Sequence, residues 1–325
     1  MIFRAEKAAA GAVSSRKTAK FSMVAAGVWS LAFGLSGAYW AVEGTSFPLG
    51  RSDPRGSDMG SFFATAEPGA AGVIIAVTGV LGAVAAALLA HAPRAQVPRA
   101  VGALLAVALL VGVPDIRVIQ NFGYLFMGYT ELWDRPLLFM LFSILGGGLW
   151  ALVVWNTRGD DVSPGRWGRW VTYAAAVLAL PYAISRISWA LGIPLGVPAG
   201  YLDVDAPSAG AASEFVLGGL CVVGAVLTLG LVQGWGEVFP RWVPFLRGRR
   251  VPIWLAVVPA TAASVLLIQA GVRLWLWWGA GQITLSADHW GTFLPGLFWL
   301  PWSLALAAAT YAYYLRRRAG GSSRM

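Results

Sequence analysis

A handful of charged side chains stand where a hydrocarbon interior should exclude them. Asp115 and Arg117 lie inside the apolar run 101–127, next to Pro114. Arg186 and Arg273 interrupt two later apolar runs, and Glu43 and Glu131 lie close to the ends of two others. A charge at the centre of a span costs at least about 2.5–3.5 kcal/mol, so it snorkels, pairs or faces a ligand. An arginine presents a fixed fork of donors that fits a carboxylate or a phosphate. Near these arginines the candidate acids are Asp115, Glu43 and Glu131, and only they could supply a proton-transferring group. The chemistry on offer is therefore anion recognition, inter-helix ion pairing, or acid–base work on a lipid-linked substrate.

Spacing narrows the pairs. Asp115 and Arg117 are two residues apart, and on a continuous helix such positions point to different sides. Pairs between Arg186 and Asp115, and between Arg117 and Glu43 or Glu131, are expected instead. Arg117 lies 18 residues beyond Arg99, about 27 Å along a straight helix, and Arg186 lies 16 beyond Trp170, about 24 Å. Arg117, Arg186 and Arg273 should thus share the outer third of the membrane. Three bases against one acid in this core leave room for an anion, and Arg117, Arg186, Arg273, Asp115, Glu43 and Glu131 form the candidate ligand site.

Other chemistry finds little support. His91 and His289 lie near opposite faces and cannot share a metal, and Cys221 is the single cysteine. Lysine occurs only at 7, 17 and 20, which excludes a retinal Schiff base within the membrane. No Gly-x-Ser-x-Gly, His-Glu-x-x-His or Walker pattern is present, so no cofactor, metal or catalytic residue is assigned. Asp134–Arg135 reads as a local interface pair, and Asp203 and Asp205 as loop-solvating acids. Pro114, Pro181, Pro259, Pro295 and Pro301 fall within apolar runs and should kink them.

The elements that must position these residues are membrane spans. The chain is 58% hydrophobic and 12% charged over 325 residues, with a mean hydropathy of +0.66. A soluble domain is nearer 25% charged, and runs of about 20 apolar residues cross a bilayer core. Eight spans are expected: 21–43, 70–91, 100–119, 136–156, 170–191, 213–234, 253–278 and 291–315. Phe21 to Val42 is too long for a signal-peptide core and is read as a retained span. The net charge of +9 reflects basic residues flanking the spans rather than nucleic-acid binding. Most of the 24 Lys and Arg fall on the N-terminal side, including Arg241, Arg247, Arg249 and Arg250, while the opposite loops hold only Arg51, Arg55 and Arg135. By the positive-inside rule both termini are cytoplasmic. The Ala-, Gly- and Arg-rich composition suggests a GC-rich bacterial genome, hence the bacterial cell membrane, with its lipids as partners.

The chain also repeats itself. At an offset of 149, Ala25-Ala26, Val28, Leu31, Ser36 and Trp40 meet Ala174-Ala175, Val177, Leu180, Ser185 and Trp189. At 142, Gly82-Ala83-Val84 and Pro98-Arg99 meet Gly224-Ala225-Val226 and Pro240-Arg241. At 156, Ile116-Arg117 meets Val272-Arg273. The expected fold is all-α: a polytopic bundle of eight transmembrane helices in two parallel four-helix repeats, 21–156 and 170–316. A cytoplasmic tail (1–20), a linker (157–169) and a second tail (317–325) complete it. Four spans per repeat give both halves one orientation, related by an axis along the membrane normal.

The stretch Asp115-Ile116-Arg117, Phe122-Gly123-Tyr124, Trp133-Asp134-Arg135 and Pro136-Leu137 resembles a family of small four-helix actinobacterial membrane proteins without an assigned activity. The likeness is best over 100–150. It departs in the second half, where Gly271 stands in place of Asp115. It implies a four-helix membrane unit and no chemistry. Together these readings favour binding or transport of an anionic small molecule or lipid headgroup from the outer face. A structural subunit held by inter-helix ion pairs and an intramembrane enzyme are the alternatives.

Overall fold

The computed structural model describes residues 2–130, 132–157, 166–198, 200–203, 210–241 and 243–322. The fold is all-α. Seven helices are long and apolar enough to cross a membrane, and a bent pair makes eight if it counts as one span. The chain is thus a multi-pass membrane protein. Large apolar side chains such as Leu35, Val42, Ile74 and Val177 stay exposed, as lipid-facing surfaces require. The chain divides into two compact units, 1–118 with 132–160, and 119–131 with 161–325. The expected linker falls largely on 158–165, outside the described residues.

In the first unit α1 (Ile2–Glu43) is long and apolar enough to cross a membrane over Thr18–Glu43. It packs along α2 (Pro68–His91) and also against α5 (Arg135–Thr157), while α3 (Gln96–Val107) packs on both α2 and α5. The α1–α2 crossing is close because it is built from glycine. A Cβ at Gly37 would lie 2.4 Å from Ala76 N and 2.7 Å from Gly72 O, and one at Gly79 2.3 Å from Gly34 Cα. Small residues at such crossings let backbones approach where no hydrophobic effect drives helices together. Gly146 makes room for Trp29, whose ring atoms would lie 2.2 Å from a Cβ there. Its indole Nε1 then donates to Phe142 O at 3.1 Å. Trp150, fully buried, donates to Ser30 Oγ at 3.1 Å.

The third span is not continuous. After α3 a π-helical turn covers Ala108–Gly112, the helix stops at Pro114, and α4 (Ile116–Leu125) restarts with a 64° bend. Proline supplies no amide for the ladder and its ring crowds the preceding turn, and Asp115 opens the new helix. The segment 44–67 is not a solvated connection either. Phe47 and Leu49 are fully buried, and Phe47 makes edge-on contacts with Trp40, Phe63 and Phe139. The loop is a folded cap with its own apolar plug.

In the second unit α6 (Trp167–Leu178) and α7 (Leu180–Ala190) form one span interrupted at Ala179, before Pro181. They pack on α8 (Ala211–Gly230), and α6 also on α11 (Trp299–Ser322), which lies along α9 (Ile253–Gly279). A short α10 (Trp290–Leu297) leads into α11 across a break at Phe298, three residues after Pro295. Pro259 sits inside α9 without ending it. Ala175, Ala225, Leu267, Trp302, Leu306 and Tyr313 form the core of this unit.

Candidate functional site

Asp115 and Arg117 are direct partners, which corrects the expectation from their spacing. Asp115 does not sit on the helix; it caps α4. Its Oδ1 accepts the backbone N–H of Arg117 at 2.9 Å, as an N-cap side chain does for the second helical residue. From that cap its carboxylate faces the guanidinium, which donates from Nε at 3.0 and 3.1 Å and from Nη2 at 2.6 Å. The reasoning from i, i+2 positions assumed one unbroken helix, and the break at Pro114 removes that premise. The straight-helix depth of Arg117 fails for the same reason.

The second carboxylate on Arg117 comes from the cap. Nη2 donates to Asp53 Oδ2 at 2.6 Å, and both side chains are 0–1% exposed. Asp53 is placed by a turn in which its amide donates to Gly50 O at 2.9 Å and its Oδ1 accepts from Arg55 N at 3.2 Å. Met59 O accepts the Ile116 amide at 3.4 Å, so backbone and side chain both tie the cap to the start of α4. Asp134 is not a partner of Arg135. It forms an ion pair with Arg55 and caps α5, accepting from Leu137 N at 2.9 Å. A cleft of about 410 Å³ lies here, lined by Ser52, Asp53, Arg55, Asp134 and Arg135 with Phe47 and three prolines.

In the second unit Arg186 pairs with Glu214, not with Asp115. Its Nη1 donates to both carboxylate oxygens at 3.0 Å. The guanidinium lies over the rings of Tyr182 and Trp189, 4.7 and 4.9 Å from their centroids. Two π-faces and a carboxylate hold the cation at low dielectric, while its buried Nε has no hydrogen-bond partner among the described residues. Arg273 is 1% exposed within α9, so it does not reach out to a headgroup. Beside it, a Cβ at Gly271 would lie 2.6 Å from Leu300 N. That contact leaves no room for a side chain at this position of α9.

Of the remaining candidates, Glu43 is exposed at the end of α1, and Glu131 lies outside the described residues. Asp53 and Glu214 were missed. The first hides in a Gly- and Pro-rich loop, where an acid reads as solvated. The second stands in the first turn of α8, where a carboxylate reads as helix-dipole complement. Their presence overturns the count of three bases to one acid. No grouping of metal-ligating side chains occurs among the described residues. No family model, no curated protein and no solved structure matches the chain.

Proposed function

We propose that this is a structural membrane subunit whose intramembrane arginines lock helices and cap together, rather than an anion receptor built around them. The observation that carries this reading is the engagement of Arg117 by Asp115 and Asp53 and of Arg186 by Glu214. A guanidinium already held by a buried carboxylate gains little from an added anion, because a ligand must first displace that partner. The test is thermal stability of wild type and Arg117→Gln in detergent, each with and without inorganic phosphate and a short-chain anionic lipid. The variant should melt well below wild type, and neither protein should gain from the anions. A rise in the melting temperature of wild type alone would restore the receptor reading, since a ligand stabilises the state it binds.

The same reading takes the chain as two parallel four-helix repeats in a bacterial cell membrane with both termini cytoplasmic. Helix crossings support the duplication. The offsets of 149 and 142 map Gly37 onto Arg186, Gly72 onto Glu214, Gly34 onto Ala183 and Ala76 onto Gly218. Gly37 touches Gly72 and Gly34 touches Ala76 in the first unit. Arg186 binds Glu214 and Ala183 touches Gly218 in the second. One register thus serves both crossings, closed by bare backbone in one and by an ion pair in the other. The likeness of 100–150 to the actinobacterial four-helix family fits a first repeat of that kind.

A further inference from the structure

The connection between α8 and α9 is a built hairpin. Val238 and Arg250 form an antiparallel bridge. Phe239 N donates to Arg249 O at 3.0 Å, Gly248 N to Phe239 O at 3.1 Å and Val251 N to Glu237 O at 2.9 Å. Its base is held by the end of α11. Arg317 donates from Nη2 to Val251 O at 2.7 Å and from Nη1 to Gly236 O at 3.3 Å, and Tyr313 Oη donates to the same Gly236 carbonyl at 2.8 Å. Arg316 donates to Leu231 O.

What this scaffold presents is an apolar tip ringed by cations. Phe245 is 94% exposed, and Leu246 beside it is exposed as well. Phe245 also has φ +64°, a conformation that costs a bulky residue of order 1–3 kcal/mol and persists only where the surroundings impose it. Arg241, Arg247, Arg249 and Arg250 are all exposed, and the stretch 238–250 contains no acid. Both ends of the hairpin run into spans, so it stands at a membrane surface whatever the orientation of the chain. Aromatic rings favour the headgroup level, and clustered arginines favour anionic lipid.

We propose that the 238–250 hairpin docks onto the anionic surface of its own membrane, with Phe245 seated among the headgroups and the four arginines on lipid phosphates. This rests on the chain spanning a membrane, and on the cytoplasmic placement of this loop for its encounter with the inner leaflet. An environment-sensitive dye on Phe245→Cys, in a Cys221→Ser background, reports docking in nanodiscs, where both faces are open. The emission should shift to the blue in nanodiscs containing phosphatidylglycerol and stay red in pure phosphatidylcholine. Each arginine changed to Gln should lower the docked-to-free ratio roughly fivefold, and high salt should release the loop.

A dye that stays water-exposed in both lipids overturns the proposal. So does a shift that is equal in the two lipids and indifferent to the arginines. A blue shift that appears only when an acidic protein is added would make the hairpin a protein contact and overturn it too. Orientation is read separately. Labelling of Phe245→Cys by an impermeant thiol reagent in intact cells would refute the cytoplasmic placement, while the nanodisc result would still judge the docking. Emission that stays red with an unchanged melting temperature separates loss of docking from loss of fold.

Discussion

Arg117 Nη2 reaches Asp53 Oδ2 at 2.6 Å and so joins the broken third span to a loop residue 64 positions earlier. This contact makes the loop part of the membrane unit. Local turns place Asp53, the stop at Pro114 places Arg117, and Phe47 fills the space between cap and helices. Losing Asp53 would leave Arg117 on Asp115 alone and remove the charge-assisted hydrogen bond to the cap, at about 1.5–3 kcal/mol.

Asp53→Ala should therefore lower stability by about 1.5–3 kcal/mol and free the cap. Asp53→Asn keeps an acceptor for Nη2 and should lose less. Trypsin reads the second effect directly, because Arg51 and Arg55 lie in the cap. Cleavage there should be slow in wild type, faster in Asp53→Asn and fastest in Asp53→Ala. A cap cut at one rate in all three proteins would mean that Phe47 alone holds it.

The α1–α2 crossing allows a test that involves no charge. A Cβ at Gly37 or Gly72 meets backbone atoms of the facing helix at 2.4 and 2.3 Å, so neither neighbour can yield by turning a side chain. Gly37→Ala and Gly72→Ala should each destabilise by about 1–3 kcal/mol through forced separation of the helices. Gly148 has open space around its Cβ position, and Gly148→Ala should be neutral or slightly stabilising. Denaturation in mild detergent ranks the three, and a Gly37→Ala as stable as Gly148→Ala would refute the close crossing.

Most of the spans are legible in sequence because about 20 apolar residues in a row have few other fates. The expected 136–156 and 253–278 correspond to α5 and α9 within two residues. The third span was legible in composition and illegible in geometry. Pro114 was read as a kink, yet with Asp115 able to cap a new helix the chain restarts at Ile116 instead. The candidate site was half visible. Arg117, Arg186 and Asp115 stand out against apolar neighbours, but Asp53 and Glu214 do not, because their burial depends on contacts 64 and 28 positions away. The polar role of a loop residue cannot be read until the loop's packing is known. Glu43 was chosen by proximity in sequence, and α1 ends with it facing outward.

Topology separates the sidedness of the chain from its packing. Single cysteines at Ser52 and Ser208, and separately at Ser163 and Ser322, are made in a Cys221→Ser background. If both termini are cytoplasmic, an impermeant thiol reagent added to intact cells labels Ser52→Cys and Ser208→Cys only. All four should react after lysis. Labelling of the second pair alone would invert the orientation. Labelling of Ser52→Cys together with Ser163→Cys would require an even number of crossings between them, so that the bent third span does not pass through the membrane.

The Arg186–Glu214 pair can be shown to be more than two opposite charges. Tyr182 and Trp189 flank the guanidinium, and both lie on α7 with Arg186. Arg186→Lys keeps the charge but loses the planar fork and the stacking, so it should recover only part of the stability lost in Arg186→Ala. The charge swap Arg186→Glu with Glu214→Arg restores opposite signs yet places a carboxylate against the aromatic rings. It should remain far less stable than wild type. Replacing both residues by apolar ones, Arg186→Met with Glu214→Leu, removes the desolvation cost from both sides. That double variant should melt above either single removal, since a buried pair exchanged for well-packed apolar groups is often neutral or better. Thermal melts of wild type and these variants decide the matter. A swap that matches wild type would reduce the site to simple charge pairing. A double apolar variant that folds stably but loses an anion-dependent gain seen in wild type would move Arg186 from a structural role to a binding one.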